Sequence, residues 1–346
     1  MLYLSLEWLE RVDAKRLIAR LANSSGILDA YSLVRRVVTR SDVAIMVYHR
    51  VCPNPEVRYT DSISPETFER HLAYLSKNYK IVSLTDLVDY VQSRKSPQDR
   101  IAAITFDDGY RDSYVYAYPI LKRFHAPATF FLTTGYIGGE TPFWWDQVSY
   151  LIQRTLTRRL DLGTLGRYRL TSEGSRSLAS YMVIQKLKTV PDSDRNAEIN
   201  KLWALCGQED AARLGEGLVL SWKDVQEMDR YGMSFGAHSV SHGILTRMRL
   251  ELARNEIVES KRQLEDRLGR SVTCFAYPNG DYSAELVQFV RTVGFKCAVS
   301  VLPCTPVSRR DDIYSLPRIP VCEDFDKFKG MLCGLWGDYV RLKGAL

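Results

Sequence analysis

Three stretches of this chain, "SDVAIMVYHRV" (Ser41 to Val51), "RIAAITF" (Arg100 to Phe106) and "APATFFLTTGYIG" (Ala126 to Gly138), contain short apolar runs without polar alternation. A strand with one wet face alternates, whereas an unbroken apolar run is a strand covered on both faces. Helical segments lie between these runs. "SPETFERHLAYLSKNY" offers Ser64 as N-cap and Pro65 at the first helical position. "YKIVSLTDLVDYVQS" reads as a short strand and then a helix capped by Thr85 or Ser83, and "YVYAYPILKRF" reads as a helix. Strand and helix in alternation define an α/β chain built on a mostly parallel sheet. Pattern alone does not separate an open doubly wound sheet from a barrel.

The alternation breaks from about Gln147 to Gly217. That polar stretch, interrupted by Pro191, reads as a helical insertion between core elements. The core resumes with "SWKDVQEMDRYG", a helix with Ser221 as N-cap, then "MSFGAHSVSHG" as strand and turn. Two further strands follow in "VTCFAYPNG" and "FKCAVS", and "YSLPRIPV" closes the core. The expected organisation is an amphipathic helical segment over 1–40, a core domain over 41–330 carrying the insertion at about 147–217, and a tail or helix over 331–346.

The net charge of +6 on 346 residues comes without a dense basic block, which argues against a nucleic-acid partner. Seven scattered cysteines, none in a C-x-x-C pair, fit free thiols in a reducing compartment. The N-terminus lacks the pattern of a standard signal peptide, and no apolar run reaches transmembrane length. "LSLEWLERVDAKRLIARLA" reads as an amphipathic helix, packed on its own domain or lying on an anionic membrane surface. The expected location is therefore cytoplasmic, with peripheral attachment at the inner face of the membrane as an extension. The oligomeric state is open.

Chemistry concentrates in two places. In "ITFDDGYRD" the adjacent carboxylates of Asp107 and Asp108 follow a buried strand and precede a glycine. Side by side they repel, and burial adds to the cost. A cation offsets that repulsion. In "HSVSH", His238 and His242 are spaced to place two imidazoles on one metal, with a carboxylate as third ligand. One aspartate can then bind the cation while the other accepts a proton, and an open coordination position can hold water. No glutamate lies inside the histidine pair, so a zincin-type protease is disfavoured and Asp107 or Asp108 must supply the base.

With these motifs the chain resembles the polysaccharide deacetylase family, the NodB-homology or carbohydrate esterase family 4 group. "TFDDG" (Thr105 to Gly109) matches its first motif, and "HSVSH" matches its H-[ST]-x-x-H motif. The resemblance runs over roughly Val43 to Val321, excluding the insertion. It implies an irregular, incomplete (β/α)7-type barrel with a helical insertion. It also implies Asp107 as catalytic base, and Asp108, His238 and His242 as ligands of one divalent ion. Zinc is the expected metal, with cobalt, nickel, manganese or iron as alternatives. The implied activity is hydrolysis of N-acetyl groups from an amino-sugar glycan or glycan precursor, releasing acetate. An O-acetyl esterase and a non-catalytic carbohydrate-binding protein are the alternatives.

Many family members carry a late leucine-x-histidine motif, but this chain has no histidine after His242. The order of its motifs resembles the permuted branch that includes poly-N-acetylglucosamine deacetylases, which makes His49 in "YHRV" the expected general acid. "FAYPNG" (Phe275 to Gly280) stands where the arginine-containing third motif is expected, with Tyr277 expected to shape the acetyl pocket. Arg318 in "LPRIP" is the expected replacement for the missing arginine, by pairing with Asp107. In "PFWWD", Trp144, Trp145 and Asp146 read as core packing or as a sugar platform. Asp112 is expected to brace the acidic loop, and His71 and His125 are expected at the surface or at helix ends.

Overall fold

A computed structural model describes residues 25–39, 42–53, 62–93, 100–206, 214–301 and 304–334. The segment expected as an N-terminal amphipathic helix, up to residue 24, lies outside them, as does the chain after 334. No helix among the described residues is long and apolar enough to cross a membrane.

One parallel sheet carries the fold. Its strands are β1 (Val43–Tyr48), β2 (Lys80–Ile81), β3 (Ile101–Phe106), β4 (Ala128–Leu132), β5 (Ser234–Ala237), β6 (Cys274–Ala276), β7 (Cys297–Val299) and β8 (Ile319–Pro320). The spatial order is β7-β6-β5-β4-β3-β1-β8, with β2 paired to the start of β3. Every residue of β1, β3 and β4 is buried, as the unbroken apolar runs require. The ring comes near closure where Leu316 bridges Val299 of β7 and Ile319 pairs with Met46 of β1. This seam is a few pairings long, so the barrel is irregular and incomplete.

Alternate residues face opposite sides of each strand. Met46, Tyr48, Ile104, Phe106 and Phe130 pack outward under the surrounding helices, whereas Ile45, Ala103, Phe131, Ala276 and Val299 form a second cluster on the inner face. Ser64, Ser83 and Ser221 each cap a helix through a side-chain oxygen, and Ser221 does so in a capping box with Asp224.

His71 is one place where the sequence expectation fails. It is fully buried, stacked at 3.8 Å on Phe328 and 3.4 Å from the Tyr48 hydroxyl. Its position follows from the helix Pro65–Asn78, where it stands three residues after Phe68 and four before Leu75, on the buried stripe. His125 is exposed at a helix end.

The segment between β4 and β5 contains α1 (Trp144–Arg154), a short antiparallel hairpin (Arg159–Asp161 with Arg167–Arg169), α2 (Glu173–Leu187) and α3 (Asp192–Cys206). It has an apolar cluster of its own, centred on Phe143, Val148, Leu151, Val183 and Ile184. The hairpin is absent from the sequence expectation, because three-residue strands leave no detectable alternation.

Candidate active site and metal centre

The C-terminal ends of the parallel strands bring the chemistry together. The β1–β3 ladder continues one step past the strands, with the Asp107 N–H donating to the Tyr48 carbonyl at 2.9 Å. This brings His49 alongside the acidic pair. The β4–β5 ladder also runs on, with the Thr134 and Gly135 N–H groups donating to Ser239 and Val240 carbonyls. The Glu256 carboxylate accepts from the Val240 and Ser241 N–H groups at 2.8 Å, fixing the "HSVSH" loop from the following helix.

Several of these turns adopt costly backbone conformations. Asp108 (φ 71°), Ser239 (φ 61°), His242 (φ 57°) and Asn279 (φ 59°) are all left-handed without being glycine. Gly109 follows at φ 90°, and a Cβ there would lie 2.7 Å from the Ile137 side chain. Consecutive left-handed residues turn Asp107 and Asp108 in different directions, although they are neighbours in sequence.

Asp107 is 3% exposed and is paired with an arginine of the chain. Arg318, itself 0% exposed, donates Nη1 to Oδ1 at 2.7 Å and Nη2 to Oδ2 at 2.6 Å. Nη1 also donates to the Thr105 hydroxyl and Nε to the Ser300 carbonyl. Burial pushes the Asp107 carboxyl up, but the Arg318 guanidinium and His238 more than offset this and hold it below the usual carboxylate range. The pairing expected of Arg318 is therefore present.

Asp108, 2% exposed, has the opposite surroundings. His242 Nε2 lies 3.2 Å and His238 Nε2 3.4 Å from its Oδ1, yet this buried oxygen has no hydrogen-bond partner among the described residues. One donor atom from each of the three residues lies within 4.8 Å of the others. His238 donates Nδ1–H to the Ala276 carbonyl at 2.8 Å, which leaves Nε2 as a free lone pair facing the cluster. An orphaned carboxylate oxygen and two convergent imidazole nitrogens fit a divalent cation of borderline softness.

His49 is half-buried, and its charged form would act on both carboxylates. Its Nδ1 is buried without a hydrogen-bond partner among the described residues. His49 and His242 are the partly exposed members of the constellation, so solvent reaches it on their side.

Tyr277 requires a correction. It is 0% exposed, its hydroxyl donates to the Tyr314 carbonyl at 2.9 Å, and its N–H goes to the Val299 carbonyl. On β6 and its continuation it shares the outward face with Phe275, under the helices, so its side chain does not shape an acetyl pocket. Trp144 and Trp145 are 8% and 5% exposed and pack in the insertion's core. Trp145 also sets its ring against His242, with centroids 4.6 Å apart.

Sequence reasoning missed Arg50, which is 2% exposed and bound to Asp112 at 2.6 Å. Asp112 thus braces the loop through a partner that lies before the acidic motif. Glu256 was missed as well. Neither residue has a local signal, because each acts on a segment that is distant in sequence or lies beyond a turn.

Comparison with known proteins agrees with this geometry. The family model for polysaccharide deacetylases matches residues 94–164 and 180–298, more than half of the chain. The chain belongs to the polysaccharide deacetylase family and is a hydrolase of the polysaccharide deacetylase kind. Bacillus subtilis YxkH, a protein named for the same family, is 21% identical over 298 residues, covering 86% of this chain and 75% of that protein. The poly-beta-1,6-N-acetyl-D-glucosamine N-deacetylase of Staphylococcus aureus is 37% identical over 89 residues, 25% of this chain and 30% of that protein's length. Among solved structures, the Streptococcus pyogenes deacetylase PplD in complex with acetate superposes with a TM-score of 0.55 at 20% identity, covering 84% of this chain and 97% of that one. IcaB from Ammonifex degensii gives 0.55 at 19%, covering 86% and 97%. At such identities the structures carry the fold.

Proposed function

We propose that the protein hydrolyses the acetamide of an N-acetylated amino sugar in a glycan or glycan precursor, with acetate and a free amine as products. The observation that carries this reading is the division of the acidic pair. Asp107 is clamped by Arg318, while Asp108 turns an unpartnered oxygen toward two imidazole nitrogens.

Asp108, His238 and His242 would hold one divalent cation, for which zinc suits the mixed nitrogen and oxygen set. The bound ion would supply Lewis acidity toward the acetyl group and acidify water, which a base held below the usual carboxylate range needs. Asp107 is ionised at neutral pH, and each of its oxygens keeps a second lone pair beside the Arg318 bond. It takes the proton of the attacking water. Arg318 keeps the carboxylate ionised and fixes its plane. His49 holds a proton on the open side and delivers it to the departing amine, a poor leaving group unless protonated.

Acetate release followed by NMR, from a panel of N-acetylated and O-acetylated sugars with zinc-loaded protein, tests this reading. The expected outcome is release from an N-acetyl sugar that Asp107→Ala abolishes. Release from O-acetyl sugars alone would make the protein an esterase, and release from neither would contradict the catalytic reading.

A further inference from the structure

We propose that Arg50 is a positioning residue for His49, acting by tying the backbone after His49 to the acidic loop and to the first turn of α1. The inference rests on the reading of His49 as proton donor.

The His49 ring has no hydrogen bond at Nδ1. Its place is therefore set by its backbone, which needs anchors on both sides. On one side the Tyr48 carbonyl accepts from the Asp107 N–H. On the other, Asp112 holds the Arg50 side chain, Nε to Oδ2 at 2.6 Å, and also accepts from the Val51 N–H at 3.4 Å. One carboxylate thus grips two successive residues after His49.

The grip is buried and extended. The Arg50 guanidinium lies 4.2 Å from the centroid of the Tyr110 ring, and Nη1 is 3.7 Å from Asp146 Oδ1. The Tyr110 hydroxyl donates to Asp146 at 2.8 Å and accepts from Trp145 Nε1 at 2.7 Å. Trp145 in turn packs against His242. A continuous set of contacts therefore runs from the His49 segment to a metal-binding histidine, through Asp146 and Trp145 of α1. A planar guanidinium can face two carboxylates and an aromatic ring at once, which an ammonium cannot. Both ends of the Arg50–Asp112 pair are buried, so loss of the guanidinium removes the positive charge that faces the Asp112 and Asp146 carboxylates.

A positioning role has a signature that a purely structural role lacks. Amide hydrolysis needs the leaving amine protonated, whereas 4-nitrophenyl acetate expels a phenolate that leaves without a proton. Zinc-loaded full-length protein would be assayed on a β-1,6-linked N-acetylglucosamine oligomer and on 4-nitrophenyl acetate, with zinc content measured for each variant. His49→Ala calibrates the effect, and its amide kcat should fall about 10²- to 10⁴-fold with the aryl ester nearly unchanged. Arg50→Gln and Arg50→Lys should each lower the amide kcat about tenfold or more while the ester rate stays within about threefold and KM is unchanged. Arg50→Lys keeps a buried cation and guards against simple loss of folding. Equal losses on both substrates, or an unchanged amide rate in both Arg50 variants, would overturn the inference while leaving the role of His49 intact. No amide hydrolysis by the parent protein, or no substrate difference in His49→Ala, would instead overturn the underlying reading and this inference with it.

Discussion

Asp107 and Asp108 are adjacent, equally buried and chemically identical, yet the chain treats them in opposite ways. Asp107 continues the β3 strand into the barrel and receives two hydrogen bonds from a buried arginine of the closing seam. Asp108 sits in a left-handed turn and faces two imidazoles from a different loop, with one oxygen unpartnered. Two neighbouring carboxylates can be buried if each has its own cation. Here Arg318 supplies one of these cations from the chain itself, and on the proposed reading an exchangeable metal would supply the other. The first arrangement suits a base and the second a metal site.

The largest expected effect is on turnover. Asp107→Asn preserves shape but not basicity, and acetate release should fall on the order of 10³-fold, measured by NMR under saturating substrate. Next is stability on the arginine side. Arg318→Met leaves Asp107 buried and unpaired and should cost about 3–5 kcal/mol in urea unfolding, while the double variant Arg318→Met with Asp107→Asn should recover most of it without recovering activity. On the turn side, Gly109→Ala forces a Cβ against Ile137 at a positive φ and should cost about 1–3 kcal/mol, with weaker zinc binding because Asp108 moves with the turn.

A last effect, seen only as pH falls, separates the site histidines from a buried histidine that faces no carboxylate in its hydrogen bonding. Burial lowers the His71 imidazole from 6.5 to about 3, so the folded protein keeps it neutral. The unfolded chain takes up this proton as pH falls below about 6.5, and stability drops with falling pH from there toward pH 3. Between pH 7 and pH 5 the parent protein should lose about 2 kcal/mol relative to His71→Phe, read from unfolding curves at the two pH values.

Much of the architecture was legible because it rests on local patterns. The unbroken apolar runs required buried parallel strands, Ser64 and Ser221 marked their helices, and of the two caps the sequence offered for the helix after β2, Thr85 and Ser83, the structure uses Ser83. The "TFDDG" and "HSVSH" motifs marked Asp108, His238 and His242, whose ligand atoms converge in a candidate metal site. Arg318 was reachable because the arginine expected near "FAYPNG" is missing and a buried carboxylate still needs a partner. Tyr277 misled because a motif places the backbone at a strand end, while strand parity decides which face the side chain takes. His71 was misread from its polarity, although its spacing from Phe68 and Leu75 put it on the apolar stripe. The links from Arg50 to Asp112 and from Glu256 to the histidine loop depend on packing between distant segments, which periodicity does not record.

The most direct test of the divided acidic pair is zinc stoichiometry in Asp107→Asn and Asp108→Asn, purified in parallel and titrated with the metal. The expected result is about one zinc per chain in Asp107→Asn, with acetate release lost, and little or no zinc in Asp108→Asn. Equal zinc affinity in the two variants, or loss of zinc from Asp107→Asn alone, would contradict the division.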